Sequence, residues 1–254
     1  LRNPVNYIKV RLEIFMTPTQ SNNFPLWVQD RAKVIAASKD AQWRYQKQPD
    51  YTRSQQNLAK ESIHHHLEGT LEAIVENLVR TFEMEVSWKT NPQQWLSVVN
   101  DKFRVSSNGG QEYTAAELGA KGTYNLFMAD SEHYKASEES FESSHDIFHS
   151  TFPQGFPWEV LAVYSGPPHV TFKWRHWGHF QGKYKDYAPT GETVEMIGMS
   201  VAHVTDDLKI VALEHYFDNA LFLEKLTAGG KIENSDNKGS GCPFGSWFQG
   251  LKKS

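Results

Sequence analysis

The 254 residues contain a single cysteine, Cys242, so no disulfide can close within the chain and a stapled secreted scaffold is not expected. Excess positive charge is also missing: 26 Lys and Arg stand against 30 Asp and Glu, for a formal net charge of -4. Without a basic run, neither a nucleic-acid backbone nor an anionic membrane surface is an expected partner. No segment approaches the ~20 apolar residues of a membrane span. The opening LRNPVNYIKVRLEIFM is interrupted by Lys9, Arg11 and Glu13, unlike the apolar core of a signal peptide. A soluble cytoplasmic protein is expected. Asn108-Gly109-Gly110 reads as a turn, because the spaced glycines and the Lys-Ser/Thr of a phosphate loop are absent. No internal repeat is visible.

What is present is enough apolar content, 39%, for one sizeable domain with appendages or at most two small ones. Residues 1–62 read as an extended arm with Pro4, Pro18, Pro25 and Pro49 and one helix from about Val28 to Gln48. Residues 63–230 read as the domain, and 231–254 as a flexible Gly, Ser, Asn and Lys tail in which Trp247, Phe248 and Leu251 are docking candidates. His64, His65 and His66 resemble a metal cluster, but neighbours on a helix point about 100° apart and cannot all meet one ion. They read as a solvated helix start.

The strongest helix follows. Leu71, Ile74, Val75, Leu78, Val79, Phe82 and Val86 keep the spacing of an apolar stripe, with Glu72, Glu76, Arg80 and Glu83 on the outer side. Phe103 and Val105 predict a short strand, and Thr114 predicts the cap of a helix bearing Leu118, Tyr124, Leu126 and Phe127.

The chain is organised around Phe141 to Phe180. Phe141, His145, Phe148 and Phe152 recur at i, i+4, i+7 and i+11, which places one imidazole within an aromatic inward stripe. Pro153, Gly155 and Pro157 end the helix. The period then becomes two: Phe172, Trp174 and His176 alternate with Lys173, Arg175 and Trp177. Val194 to Val204 is apolar on nearly both faces, and Gly198 within it suggests a bulge or bend. In the next strand Ile210, Ala212, Glu214 and Tyr216 share one face, and Val211, Leu213, His215 and Phe217 the other. Leu221, Phe222 and Leu226 predict a closing helix. Helices followed by antiparallel strands describe an α+β domain, a curled sheet folded over helices around a pocket.

The strings FESSHDIF, FPQGFPWEV, VYSGPP, FKWRHWGH, APTGE and EHYFD resemble those of the plant pathogen-related proteins, a branch of the SnoaL-like group with the nuclear transport factor 2-like fold. The likeness runs from about Pro49 through Gly229, with a further Cys242-Pro243 pair. It implies a cone of helices capped by a strongly curved antiparallel sheet, and assigns no reaction, because fold does not imply function.

Related cone-shaped folds include polyketide cyclases, ketosteroid isomerases and dehydratases, which run cofactor-independent acid-base chemistry in apolar pockets. On that reading His145 is the acid or base, and His176 with Tyr216 polarises a carbonyl or hydroxyl. Phe172 and Trp174 form the wall, and Phe141, Phe148 and Glu214 complete the binding set. A Ser144-His145-Asp146 triad is excluded by helix geometry; Asp146 reads as capping or as pairing with a nearby base, and Arg175 reads equally as that partner or as a solvated strand residue. The same pocket equally fits a non-catalytic binder of a small hydrophobic or aromatic metabolite, or a defence-associated interaction protein, with a homodimer as a further candidate assembly. No cofactor and no metal is expected: His176 and His179 would lie on opposite faces of a strand.

Overall fold

The computed structural model describes residues 24–232; the expectations for Cys242, for Trp247, Phe248 and Leu251, and for the first part of the arm lie outside them. In chain order the described elements are α1 (Arg31–Ala37), α2 (Thr52–Glu61), α3 (Leu71–Trp88), β1 (Arg104–Ser107), α4 (Ala115–Lys121), α5 (Thr123–Met128), α6 (Phe141–Thr151), β2 (Trp158–Val163), β3 (His169–His179), β4 (Thr193–Val204), β5 (Ile210–Phe217) and α7 (Asn219–Thr227).

The strands form one sheet in the order β1-β5-β4-β3-β2. Strands β2 to β5 are antiparallel neighbours, whereas β1 lies parallel to β5. The expected α+β architecture holds, with one correction: the sheet is mixed rather than wholly antiparallel. A parallel pair needs a long crossover, and here α4, α5, α6 and the other strands all lie between β1 and β5 in the chain.

The helices form where the caps and stripes require. Thr70 Oγ1 accepts from the Ala73 amide at the start of α3. A reciprocal capping box joins Thr114 and Glu117 at α4, and another joins Ser140 and Ser143 at α6. Gly122, at φ +84°, separates α4 from α5 where one helix was expected. In α6 the whole predicted stripe is interior: Phe141, His145 and Phe148 are buried, as is Phe152 just beyond.

The polar side of α3 is not a solvent face, contrary to expectation. Glu76 accepts from the Val160 amide and pairs with Arg80. Glu85 is fully buried with Lys89, and also accepts from the Leu96 and Ser97 amides and Ser97 Oγ. Helix periodicity reports where the apolar groups go; it is silent on whether polar groups find partners inside.

Residues 24–62 supply the cover. The expected helix from Val28 to Gln48 is instead a 3-10 turn at Leu26–Val28 and the short α1, capped by Asp30. Both pack on α3. Helix α2 has too few apolar residues to show a sequence stripe and is held by polar contacts. Arg53 donates to Pro153 O at 2.8 Å and Asn57 to Gln154 O at 2.8 Å. Glu61 accepts from Trp177 Nε1 and is bonded to His179 Nε2. No described helix is long and apolar enough to cross a membrane.

Candidate functional site

A cavity lies between the concave side of the sheet and the helices, with about 1140 Å³ of empty space that includes its open mouth. Its floor is sheet: Trp174 and His176 from β3, Met196 from β4, and His215 and Phe217 from β5. Val79, Phe82 and Glu83 of α3 form one wall, Tyr124, Phe127 and Met128 of α5 another, and His145 and His149 of α6 a third. Arg31, Tyr51, Ser54 and Leu58 bring the arm to the same space.

Each floor imidazole is held in one tautomer. Pro157 O, an acceptor only, lies 2.9 Å from His176 Nδ1. Nδ1 therefore carries the proton and Nε2 keeps its lone pair. The ring stacks on Phe156 with centroids 3.6 Å apart. At His215 the logic reverses. Trp174 Nε1 can only donate, and does so to Ser200 Oγ at 2.8 Å; among the described residues the only further partner of the Ser200 hydroxyl is His215 Nδ1, 2.7 Å away, so the serine proton is satisfied only by pointing there. That leaves the His215 proton on Nε2. The floor thus offers an acceptor at His176 and a donor at His215.

Burial lowers both pKa values to about 4, so both rings are neutral at pH 7. His145 is pushed lower, to about 3, by burial first and then by His149 and Arg44. Its Nδ1 is hydrogen-bonded to Tyr45 OH at 3.0 Å, its ring stacks on His149 at 3.8 Å, and its buried Nε2 has no partner among the described residues. His149 is exposed by area, yet it faces the cavity and is ringed by protein, so burial lowers its pKa too.

A charged cluster completes the lining. Arg31 Nη1 is 2.9 Å from Glu83 Oε2, the Arg31 guanidinium lies 3.3 Å above the Tyr51 ring, and Tyr51 OH reaches the same Oε2 at 3.4 Å. Burial is the largest influence on Glu83 and raises its pKa, against the lowering effect of Arg31. Nearly half of the Glu83 side-chain surface is accessible, and the residue lines the cavity; the desolvation comes from the protein packed around it.

Of the sequence candidates, the structure brings His145, Trp174 and His176 to the cavity. Phe141 packs under the Arg44 guanidinium. Phe148 stacks behind Tyr124 with centroids 4.0 Å apart. Phe172 borders a separate, smaller apolar recess. Glu214 and Tyr216 are on the outer face of β5, hydrogen-bonded to each other and exposed. Asp146 and Arg175 do not pair: Arg175 bonds Glu159 and Glu195 on the far side of the sheet. His215, Glu83, Arg31 and Tyr51 were not singled out. The alternation that put His215 with Leu213 and Phe217 was the signal for the first; for the others, no local pattern exists. Among the described residues no group of three or more His, Cys, Asp or Glu is placed to hold a metal ion.

A curated protein from Hordeum vulgare, described as a pathogen-related protein, is 37% identical over 213 residues, covering 81% of this chain and 89% of its own length. No family model matches the chain. Among solved structures, IdmH from Streptomyces antibioticus, a proposed polyketide cyclase, is 15% identical with TM-score 0.36, covering 58% of this chain and 94% of its own. A proposed SnoaL-like polyketide cyclase from Jannaschia sp. CCS1 is 14% identical with TM-score 0.35, covering 60% and 92%. At those values the likeness says nothing about chemistry.

Proposed function

The chain belongs to the pathogen-related protein family, and from that premise we propose that its cavity binds a small, mostly apolar, planar metabolite. The observation that carries the reading is the pair of opposed tautomers on an aromatic floor. The Nδ1 partners leave His176 Nε2 as an acceptor and His215 Nε2–H as a donor, on either side of the Trp174 indole in strand register. A flat molecule with one hydroxyl and one carbonyl satisfies both while covering Trp174. Stacking on such rings adds about 0.5–1.5 kcal/mol per pair beyond the area buried.

Acid-base catalysis is the second reading, favoured by the fixed Nδ1–H and open Nε2 of His176. Its cost decides the order. Moving a proton at pH 7 onto a group of pKa about 4 is uphill by three units, about 4 kcal/mol. In the empty cavity His176 is therefore a hydrogen-bond acceptor first. We place binding ahead of turnover.

Titration with 2-naphthol, followed calorimetrically, is expected to saturate at one molecule per chain and to weaken about tenfold or more in Trp174→Ala. No saturable binding, or binding unchanged in that variant, contradicts the reading.

A further inference from the structure

The Arg31–Glu83–Tyr51 cluster has unused valence pointing to a ligand head group. A guanidinium carries five N–H donors in a planar fork. Among the described residues Arg31 spends only Nη1, on Glu83. Glu83 takes both of its partners, Arg31 Nη1 and Tyr51 OH, on Oε2, which leaves Oε1 without a protein donor. Arg31 is only 9% exposed as a residue, yet neither its free nitrogens nor Glu83 Oε1 is fully enclosed, and both residues line the cavity, so the unused donors and acceptor are open to a ligand there. The nearby cation is not available to share the load: Arg80 is committed to Glu76 and to Trp158 O.

We propose that this cluster receives the carboxylate of a planar aromatic acid, which accepts from the free edge of Arg31 while sharing a proton with Glu83 Oε1. The proposal rests on the reading of the cavity as a small-molecule site and names the class of molecule. Arg31 and Tyr51 belong to the arm, so the arm would contribute the specificity and the sheet the surface on which the ring lies.

Charge balance gives the mechanism of recognition. An ionised ligand placed beside an intact Arg31–Glu83 pair would bring two negative charges to one cation. If Glu83 takes a proton from solvent, one carboxylate, one carboxylic acid and one guanidinium remain, and the cluster is neutral. Burial already raises the Glu83 pKa, so this protonation is the easier of the available adjustments. The other titratable groups lining the space are Tyr51 and Tyr124, both shifted upward by burial and uncharged at neutral pH; His145, His149, His176 and His215, all shifted downward by burial and neutral; and Arg80, already paired with Glu76. None of them supplies the missing positive charge.

The test uses three matched probes on the full chain: 2-naphthoate, 2-naphthamide and 2-acetylnaphthalene, by calorimetry in two buffers of different ionisation enthalpy. The acid is expected to bind about 30-fold more tightly than the ketone, as a charge-assisted contact implies. It should take up protons from the buffer, and lose affinity as pH rises from 6 to 8. In Arg31→Met the preference for acid over ketone should vanish while the ketone still binds. Ketone or amide binding the unaltered protein as tightly as the acid overturns the proposal while leaving the small-molecule reading intact. Failure of all three probes to bind overturns both. The comparison among probes is made on the unaltered protein and so does not depend on any variant folding.

Discussion

The Trp174 indole lies across Gly198 of the neighbouring strand, occupying the space that a Cβ on residue 198 would need, and from there its Nε1 reaches Ser200 Oγ at 2.8 Å. The two residues are direct cross-strand partners. The register runs unbroken through Gly198, so of the bulge or bend its position suggested, the bulge is absent; the glycine is the gap that lets a tryptophan lie over the sheet as the floor of the cavity.

Gly198→Ala should lift the indole and break its bond to Ser200. Overpacking of this kind costs about 1–3 kcal/mol. The loss should appear as a lower urea midpoint together with a shifted indole proton resonance for Trp174. A normal midpoint with an unshifted resonance would contradict the packing described.

Ser200→Ala removes the relay between Trp174 and His215. It leaves a buried indole N–H and His215 Nδ1 without their present partner, at a cost of about 1–3 kcal/mol. Nitrogen-15 spectra should show His215 as the Nε2–H tautomer in the unaltered protein and a mixture in the variant, with His176 remaining Nδ1–H in both. An Nδ1–H form of His215 before substitution would reverse the assignment.

Much of this arrangement was legible in the sequence, because periodicity reports which residues share a face. The α6 stripe put His145 inside, and strand alternation put Trp174 with His176. Alternation fixes parity but not sign, however. In β5 it separated Glu214 and Tyr216 from His215 and Phe217 correctly, and only the pairing with β4 shows that the second set faces the cavity. Arg31, Tyr51 and Glu83 are separated by up to 52 residues and meet through tertiary packing, which no local pattern encodes. Helix α2 was invisible for a similar reason, being held by polar bonds to backbone carbonyls rather than by an apolar stripe.

Stability should depend on pH through the floor imidazoles. Their folded pKa values, about 4, lie below the unfolded value of about 6.5. Between those limits the unfolded chain binds more protons than the folded one, so stability is fully present above about pH 6.5 and falls as pH drops toward 4. At pH 5 the loss is about 2 kcal/mol for each of His176 and His215. Urea midpoints at pH 7 and pH 5 check this. Replacing His176 by Asn should flatten the dependence, and an unchanged slope would contradict the assignment.

Lys89→Met should be costly despite preserving bulk. Lys89 and Glu85 are both buried, and Lys89 Nζ lies 2.9 Å from Glu85 Oε1. Removing one partner leaves the other charge uncompensated, a loss of about 3–5 kcal/mol. Chemical denaturation measures it; a loss under about 1 kcal/mol would show that the backbone donors at Leu96 and Ser97 satisfy Glu85 unaided.

The most direct test of the cavity as a ligand site is a set of nuclear Overhauser contacts from 2-naphthol bound to the isotope-labelled protein. The ring protons of Trp174, Phe156 and His176 should show contacts to the bound molecule. Contacts confined to Ile197 and Tyr216, on the outer face of the sheet, would place the ligand elsewhere and contradict the account.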